Sequence, residues 1–248
     1  GKVALGQSLT ADHVLRFQDL LPHASYELAT YALAELFTRK DEAEIAELRK
    51  AGRTIDAVHG QVPQLLQAGR TEAEVAHKLE KLILREHSVI DFVIVGSGPN
   101  GANPHHSFSD RVLAEGEPVV VDIGGTLPSG YHSDCTRTYV VGGDLSQAPQ
   151  DFQDAYAVLA DAQAAGRAAA HPSNTAADID AITRKAIAAA GWGDNFVHRT
   201  GHGIGLSTHE EPFIMEGNDL TLEEGMAFSI EPGIYLEGKW GMRLEDIV

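Results

Sequence analysis

Three valines followed by an aspartate, Val119-Val120-Val121-Asp122-Ile123, constrain this chain more than any other stretch. Successive apolar residues read as a buried strand, and an unpaired carboxylate among them would carry a severe desolvation penalty. Something must neutralise it. Gly124-Gly125 and Pro128-Ser129-Gly130 are turn signals, and residues 135–141, with Thr136, Thr138 and Tyr139, read as the returning strand of a hairpin. With the turn centred near Pro128, Asp122 stands directly opposite Asp134 on one face. Two carboxylates so placed repel, and are tolerated when one is protonated, when a Lys or Arg lies between them, or when they share a cation. Asp is also common in turns, so a plain capping role competes with the cation reading at this point.

A chain of 248 residues can bury a large core in one big domain or two small ones. Lys plus Arg number 19 against 36 for Asp plus Glu, a formal −17, so the surface repels nucleic acid and anionic membrane, and neither is an expected partner. Part of the acid excess fits carboxylates whose charge a metal would offset. One cysteine, Cys135, rules out an internal disulfide framework and fits a reducing cytoplasm, the expected location. No apolar run is long enough to cross a bilayer, and residues 1–10 lack a signal-peptide pattern.

Along the chain, residues 3–5 form a short apolar segment, and 12–20 and 26–36 are predicted to be helical. Asp41 with Glu44, Thr71 with Glu74 and Thr175 with Asp178 have the spacing of capping boxes and predict three amphipathic helices. The Ala-rich stretch 150–170 predicts another. His59, His77 and His87 have no clustered partner and read as surface or packing residues. Residues 89–95 predict a strand that runs into the glycine-rich loop 96–104, which lacks the spacing of a phosphate-binding loop and delivers His105 and His106. Residues 196–211 hold His198, His202 and His209 among Gly201, Gly203 and Gly205, a density of imidazole hard to explain as packing. Residues 227–230, ending at Glu231, and 242–248, with Arg243, Glu245 and Asp246, predict two further strands that carry carboxylates where Val or Thr would be usual.

Collected, the misplaced polar residues are Asp122, Asp134, His202, Glu231 and Glu245. One divalent ion does not need four carboxylates, whereas two ions bridged by two of them do. The oxygen-rich set favours Mn(II) or Co(II), with Zn(II) and Fe(II) as the other candidates. Such a pair activates a bridging water and polarises a carbonyl, so the expected chemistry is hydrolysis.

These residues resemble a known family. Asp122-Ile-Gly-Gly, Ser133-Asp134-Cys-Thr-Arg-Thr, Gly201-His202-Gly-Ile-Gly with His209-Glu-Glu-Pro212, Ser229-Ile-Glu231-Pro-Gly and Arg243-Leu-Glu245-Asp look like the pita-bread metallopeptidases, which include methionine aminopeptidases, Xaa-Pro aminopeptidases and prolidases. The resemblance covers residues 40–248 and implies an α+β fold, a curved antiparallel sheet covered by helices in pseudo-two-fold halves. It implies that Asp122 chelates one ion, that His202 and Glu231 hold the other, and that Asp134 and Glu245 bridge. By the same resemblance Glu231 is the general base, His105 lies on the substrate side and His209 contacts the scissile carbonyl. His198 matches a further active-site histidine of the proline-specific branch, and Tyr235 and Arg243 match positions behind its ligands. Eleven residues separate Asp122 from Asp134, one more than is usual in the family, and the extra residue is expected in the turn around Pro128.

Within the family the resemblance favours the proline-specific branch, acting on peptides with proline at the second position. Residues 1–39 read as the end of an amino-terminal domain and 40–248 as a catalytic domain incomplete at its carboxyl end; a homodimer is the expected assembly. Methionine aminopeptidase is the nearest enzymatic alternative. A non-catalytic binding module of the same fold is the other, disfavoured because such relatives lack the ligands that are all kept here.

Overall fold

Three of the helices begin at capping boxes that the sequence supplies, and two of these cover one face of a central antiparallel sheet. The computed structural model describes residues 1–6 and 8–248. Strand β1 (Lys2–Leu5), helix α1 (Ala11–Leu20) and strand β2 (Ser25–Leu28) form a βαβ unit with its two strands parallel, followed by the short helices α2 (Ala29–Ala32) and α3 (Ala34–Thr38). The prediction of one helix over 26–36 is therefore corrected. Residues 25–28 pair with β1 instead, and the Tyr26 hydroxyl donates to the carbonyls of Phe17 and Leu21 at the end of α1, so tertiary pairing overrides local helix preference.

Helix α4 (Glu42–His59) starts with Asp41 accepting from the N–H groups of Ala43 and Glu44 while Glu44 reaches back to Asp41 N–H. After the short α5 (Val62–Leu65), the Thr71–Glu74 pair starts α6 (Glu72–Ile83) in the same way. Each cap satisfies orphan N–H groups and contributes on the order of 1 kcal/mol. Strands β3 (Val89–Ser97), β4 (Pro118–Thr126) and β5 (His132–Val140) form the antiparallel sheet. Its faces divide by the period of two. Val119, Val121, Ile123 and Cys135 pack on Ile55 and Val58 of α4 and on Val75, Leu79 and Ile83 of α6. Asp122, Asp134, Thr136 and Thr138 point the other way, toward the functional site.

The hairpin register differs from expectation. Asp122 pairs with Thr136, and Asp134 with Gly124, because the turn is centred on Ser129: Leu127 N–H donates to the Tyr131 carbonyl and Gly130 takes a φ of +91°. The slip moves each partner by two residues, so both aspartates stay on one face as diagonal neighbours. The β4–β5 ladder itself is unbroken from Pro118 to Thr126.

Beyond the sheet, α7 (Gln150–Ala169) and α8 (Ala176–Ala189), the latter capped by Thr175 and Asp178, precede the short strands β6 (Gly201–Gly203), β7 (Glu210–Ile214), β8 (Ser229–Ile230), β9 (Gly233–Leu236), β10 (Trp240–Arg243) and β11 (Asp246–Ile247). Phe152 and Leu159 of α7 pack with Ile234, Trp240 and Met242, and Ile179 of α8 with Ile214, Phe228 and Ile230. The strand predicted over 242–248 is split at Leu244-Glu245. There Leu244 N–H turns to the Pro232 carbonyl and Glu245 N–H to that of Thr136, so the backbone leaves one ladder to join another. No helix among the described residues is long and apolar enough to cross a membrane. Leu79→Ala is expected to lower the unfolding free energy by about 2–5 kcal/mol in urea denaturation, since Leu79 is completely buried between α6 and the sheet; a loss too small to resolve would mean that α6 is not seated there.

Candidate metal centre

The polar face of the β4–β5 hairpin is the floor of the site, and three later segments are stitched onto it. Thr138 Oγ1 accepts from Arg243 N–H at 3.0 Å and donates to the Arg243 carbonyl at 2.9 Å, which holds the end of β10 against β5. Glu245 N–H donates to the Thr136 carbonyl, and Glu231 N–H to that of Thr200. Gly201 in β6 permits the strand crossing, because a Cβ there would meet the Ser229 backbone.

The five residues collected from the sequence converge. Asp134, His202 and Glu245 each bring a ligand atom within 4.8 Å of the others. His202 Nε2 lies 3.1 Å from Glu231 Oε1 and 3.6 Å from Asp134 Oδ2. Asp122 Oδ2 accepts from Arg243 Nη2 at 2.6 Å, and Arg243 Nε lies 3.9 Å from Glu231 Oε2. Thr136 Oγ1 links the two halves, donating to Glu245 Oε2 at 2.9 Å and accepting from Arg243 Nε at 3.1 Å.

Two observations fit this set to cations. Asp122 Oδ1 and Glu245 Oε1 are buried without a hydrogen-bond partner among the described residues, an arrangement normally too costly to keep without a ligand. His202 Nδ1 faces the Gly203 carbonyl at 3.1 Å, and a carbonyl only accepts, so Nδ1 carries the proton. Nε2 then faces the carboxylates of Glu231 and Asp134, the position from which a ligand histidine whose tautomer is fixed from behind would take a cation.

The carboxylates push one another apart in acidity. Burial, then the charges of Glu245, Asp122 and Glu231, raise Asp134 well above the usual carboxylate range. Burial with Glu231 and Asp122 does the same to Glu245, and burial raises Asp122 against the pull of Arg243. Glu231 goes the other way: burial acts to raise it, but His202 and then Arg243 bring its carboxyl down to about 2.

The remaining histidines flank the cluster. His198 Nδ1 donates to the Arg199 carbonyl at 2.7 Å, leaving Nε2 to accept from the Tyr235 hydroxyl at 2.9 Å. That hydroxyl accepts from Arg243 Nη1 at 2.7 Å, so a continuous chain runs from His198 through Tyr235 and Arg243 to Asp122. The exposed His209 sets its ring 4.1 Å from that of His202. Burial lowers His198 to about 4, and partial burial with the neighbouring His202 lowers His209 to about 4. His105 is exposed on its loop, whose Pro104 carbonyl accepts from Arg243 Nη1 at 3.4 Å. By contrast, His59 bonds the Tyr139 hydroxyl and the Cys135 carbonyl, and His87 bonds Ser133, as packing residues do.

The sequence reading missed Thr136, Thr138 and Ser229. Ser229 Oγ accepts from His202 N–H at 3.0 Å and donates to Glu231 Oε1 at 2.9 Å, clamping the two together. For the threonines a signal was available, since with Asp134 they occupy alternate positions of one strand and so share its polar face.

A model of metallopeptidase family M24 matches residues 46–248. The chain belongs to that family. It is 54% identical over 246 residues to a protein of Mycobacterium tuberculosis named probable dipeptidase PepE, an alignment that covers 99% of this chain and 64% of the relative. With the Xaa-Pro dipeptidase of Pyrococcus furiosus the identity is 40% over 214 residues, covering 84% of this chain and 59% of that one. The crystal structure of dipeptidase PepE from Mycobacterium ulcerans superposes with a TM-score of 0.94 at 51% identity, over 100% of this chain and 66% of that chain. The chain thus spans less than two thirds of the length of these relatives.

A linkage prediction follows for this M24 chain. Asp134 and Glu245 have folded-state pKa values above their unfolded ones, so each favours folding while protonated, and that contribution is lost as the pH rises through the folded-state value. A divalent ion competes with those protons. Binding of Mn(II) or Co(II) at mildly acidic pH should therefore release protons and tighten as the pH rises. Calorimetric titrations in buffers of different ionisation enthalpy measure this; identical heats in all buffers would refute it.

Proposed function

We propose that this chain forms the catalytic part of a two-metal peptidase that cleaves Xaa-Pro bonds, with Xaa-Pro dipeptides as the favoured substrates. The observation that carries the reading is the convergence of four carboxylates, three of them buried and Glu231 partly so, and one buried imidazole, with two carboxylate oxygens left unpartnered among the described residues. The names of the relatives support the substrate class. The proposed division is residues 40–248 as catalytic domain and 1–39 as the end of a separate amino-terminal unit. The order of a helix pair followed by strands, α4 and α6 before β3, then α7 and α8 before β6, supports a pseudo-two-fold relation between halves of a pita-bread fold.

In this reading Asp122 would hold one ion, His202 with Glu231 would hold the other, and Asp134 and Glu245 would serve both; Mn(II) or Co(II) would suit the oxygen-rich set, ahead of Zn(II) and Fe(II). When bound, such a pair supplies a nucleophilic water at neutral pH and polarises the peptide carbonyl. Glu231, whose carboxylate lies beside His202 Nε2 in the cluster, would take the proton of the attacking water. His209 donates to the carbonyl oxygen as negative charge develops there. His105 faces the substrate, and the chain from His198 through Tyr235 and Arg243 fixes the orientation of Asp122.

The roles predict separable losses. Asp134→Ala should lose bound metal and activity together, and metal analysis showing full occupancy in the inactive variant would refute its bridging role. His209→Ala should keep its metal and lose about a hundredfold to a thousandfold in kcat. Specificity is decided by a panel of Xaa-Pro and Met-Ala peptides assayed with Mn(II) or Co(II): preferential release of proline from Xaa-Pro dipeptides is expected, and preferential release of Met would replace the reading with a methionine aminopeptidase. A protein that neither retains metal nor hydrolyses any peptide would be a binding module.

A further inference from the structure

Helix α6 begins with two glutamates that do different things. Glu74 completes the capping box, whereas Glu72 turns inward and is fully buried. An isolated carboxylate there would be prohibitive, and it is not isolated. Oε1 accepts from Ser97 N–H and Ser97 Oγ, both at 2.7 Å, and from Asn100 Nδ2 at 3.1 Å. Oε2 accepts from His106 Nε2 and Ser109 N–H, both at 2.9 Å, and from Ser109 Oγ at 2.7 Å. These six donors bracket residues 97–109, the connection that carries His105 and touches Arg243 through the Pro104 carbonyl. Beyond one short helical turn over Gly98–Ala102, the backbone-to-backbone bonds of the connection are turn bonds, from Asn103 N–H to Asn100 and from His106 N–H to Asn103, and isolated bonds to β3 and α6 through the Ser107 and Ser109 carbonyls. A single anion gathers both of its ends and the residue next to His105.

We propose that Glu72 is a positioning residue for the reaction: its carboxylate fixes the loop 97–109 and thereby sets His105 toward the bound peptide. The proposal rests on the peptidase reading for what His105 does, but not for how the loop is held. Glu72→Gln keeps the size of the side chain and replaces one acceptor oxygen with an NH2 group facing N–H and O–H donors, so at least one backbone N–H of the loop loses its partner. A purely structural glutamate would lower stability without regard to His105; a positioning one acts through it.

The test combines amide hydrogen exchange on wild type and Glu72→Gln with kinetics of Glu72→Gln, His105→Ala and the double variant on an Xaa-Pro dipeptide. Expected are faster exchange confined to 97–109, unchanged metal content, a fall in kcat of about tenfold to a hundredfold for Glu72→Gln, and a double variant no slower than His105→Ala alone. Unchanged loop exchange, or losses that multiply in the double variant, would overturn the proposal. Should Glu72→Gln fail to fold, Ser97→Ala and Ser109→Ala each remove one hydroxyl donor and carry the same cycle with smaller losses. If the wild type cleaves no Xaa-Pro peptide, the peptidase reading falls, and the exchange measurement alone still decides whether Glu72 holds the loop.

Discussion

Four carboxylates within reach of one another, three buried and Glu231 partly so, dominate this molecule. Asp122, Asp134, Glu231 and Glu245 face a single guanidinium, Arg243, and burial pushes three of them toward their protonated forms. A fold does not accumulate such repulsion for stability, because apolar residues of similar volume would do better. The carboxylates are kept together by backbone and side-chain bonds made elsewhere: the β4–β5 ladder, the Thr138 clamp on Arg243, and Ser229 between His202 and Glu231. The donor set is thus held by bonds that do not involve a cation, which is the condition for tight and geometrically defined binding.

Around that centre the catalytic histidines of the proposed reaction sit on loops, and each loop is tied down by a buried polar contact. The His105 connection is gathered by Glu72. The segment around His209 is held by Lys40, whose ammonium lies 2.6 Å from Glu210 with both side chains buried, and by His132, whose N–H donates to the Gly205 carbonyl while its ring meets Thr208. Lys40 also donates its backbone N–H to the Gly225 carbonyl, so the segment leading into α4 is fastened to the loop before β8. Function placed on loops, with rigid elements behind it, is the usual division of labour in enzymes.

Much of this was legible in the chain. The three capping boxes place α4, α6 and α8 because a cap is a local contest among neighbouring N–H groups and side chains, settled within four residues. The misplaced carboxylates announced themselves because a strand that is otherwise apolar has no reason to carry them. Less legible were 26–36, where pairing with a strand near the amino terminus displaced a helix, and the break at Leu244-Glu245, which follows from backbone bonds to Pro232 and Thr136, both remote in sequence. The hairpin register was off by two residues because turn chemistry alone does not say whether Pro128 or Ser129 lies at the centre. The face survived, since side chains alternate with period two and an even slip preserves it.

The residues themselves thus determined which groups would meet and on which face, since burial of a charge and strand alternation are properties of short stretches. What only the folded chain decided was which further partners complete the site. Thr136, Ser229 and Glu72 are ordinary residues in ordinary local settings, and they matter because segments dozens of residues apart are pressed together, where every donor and acceptor shut away from water must find a partner.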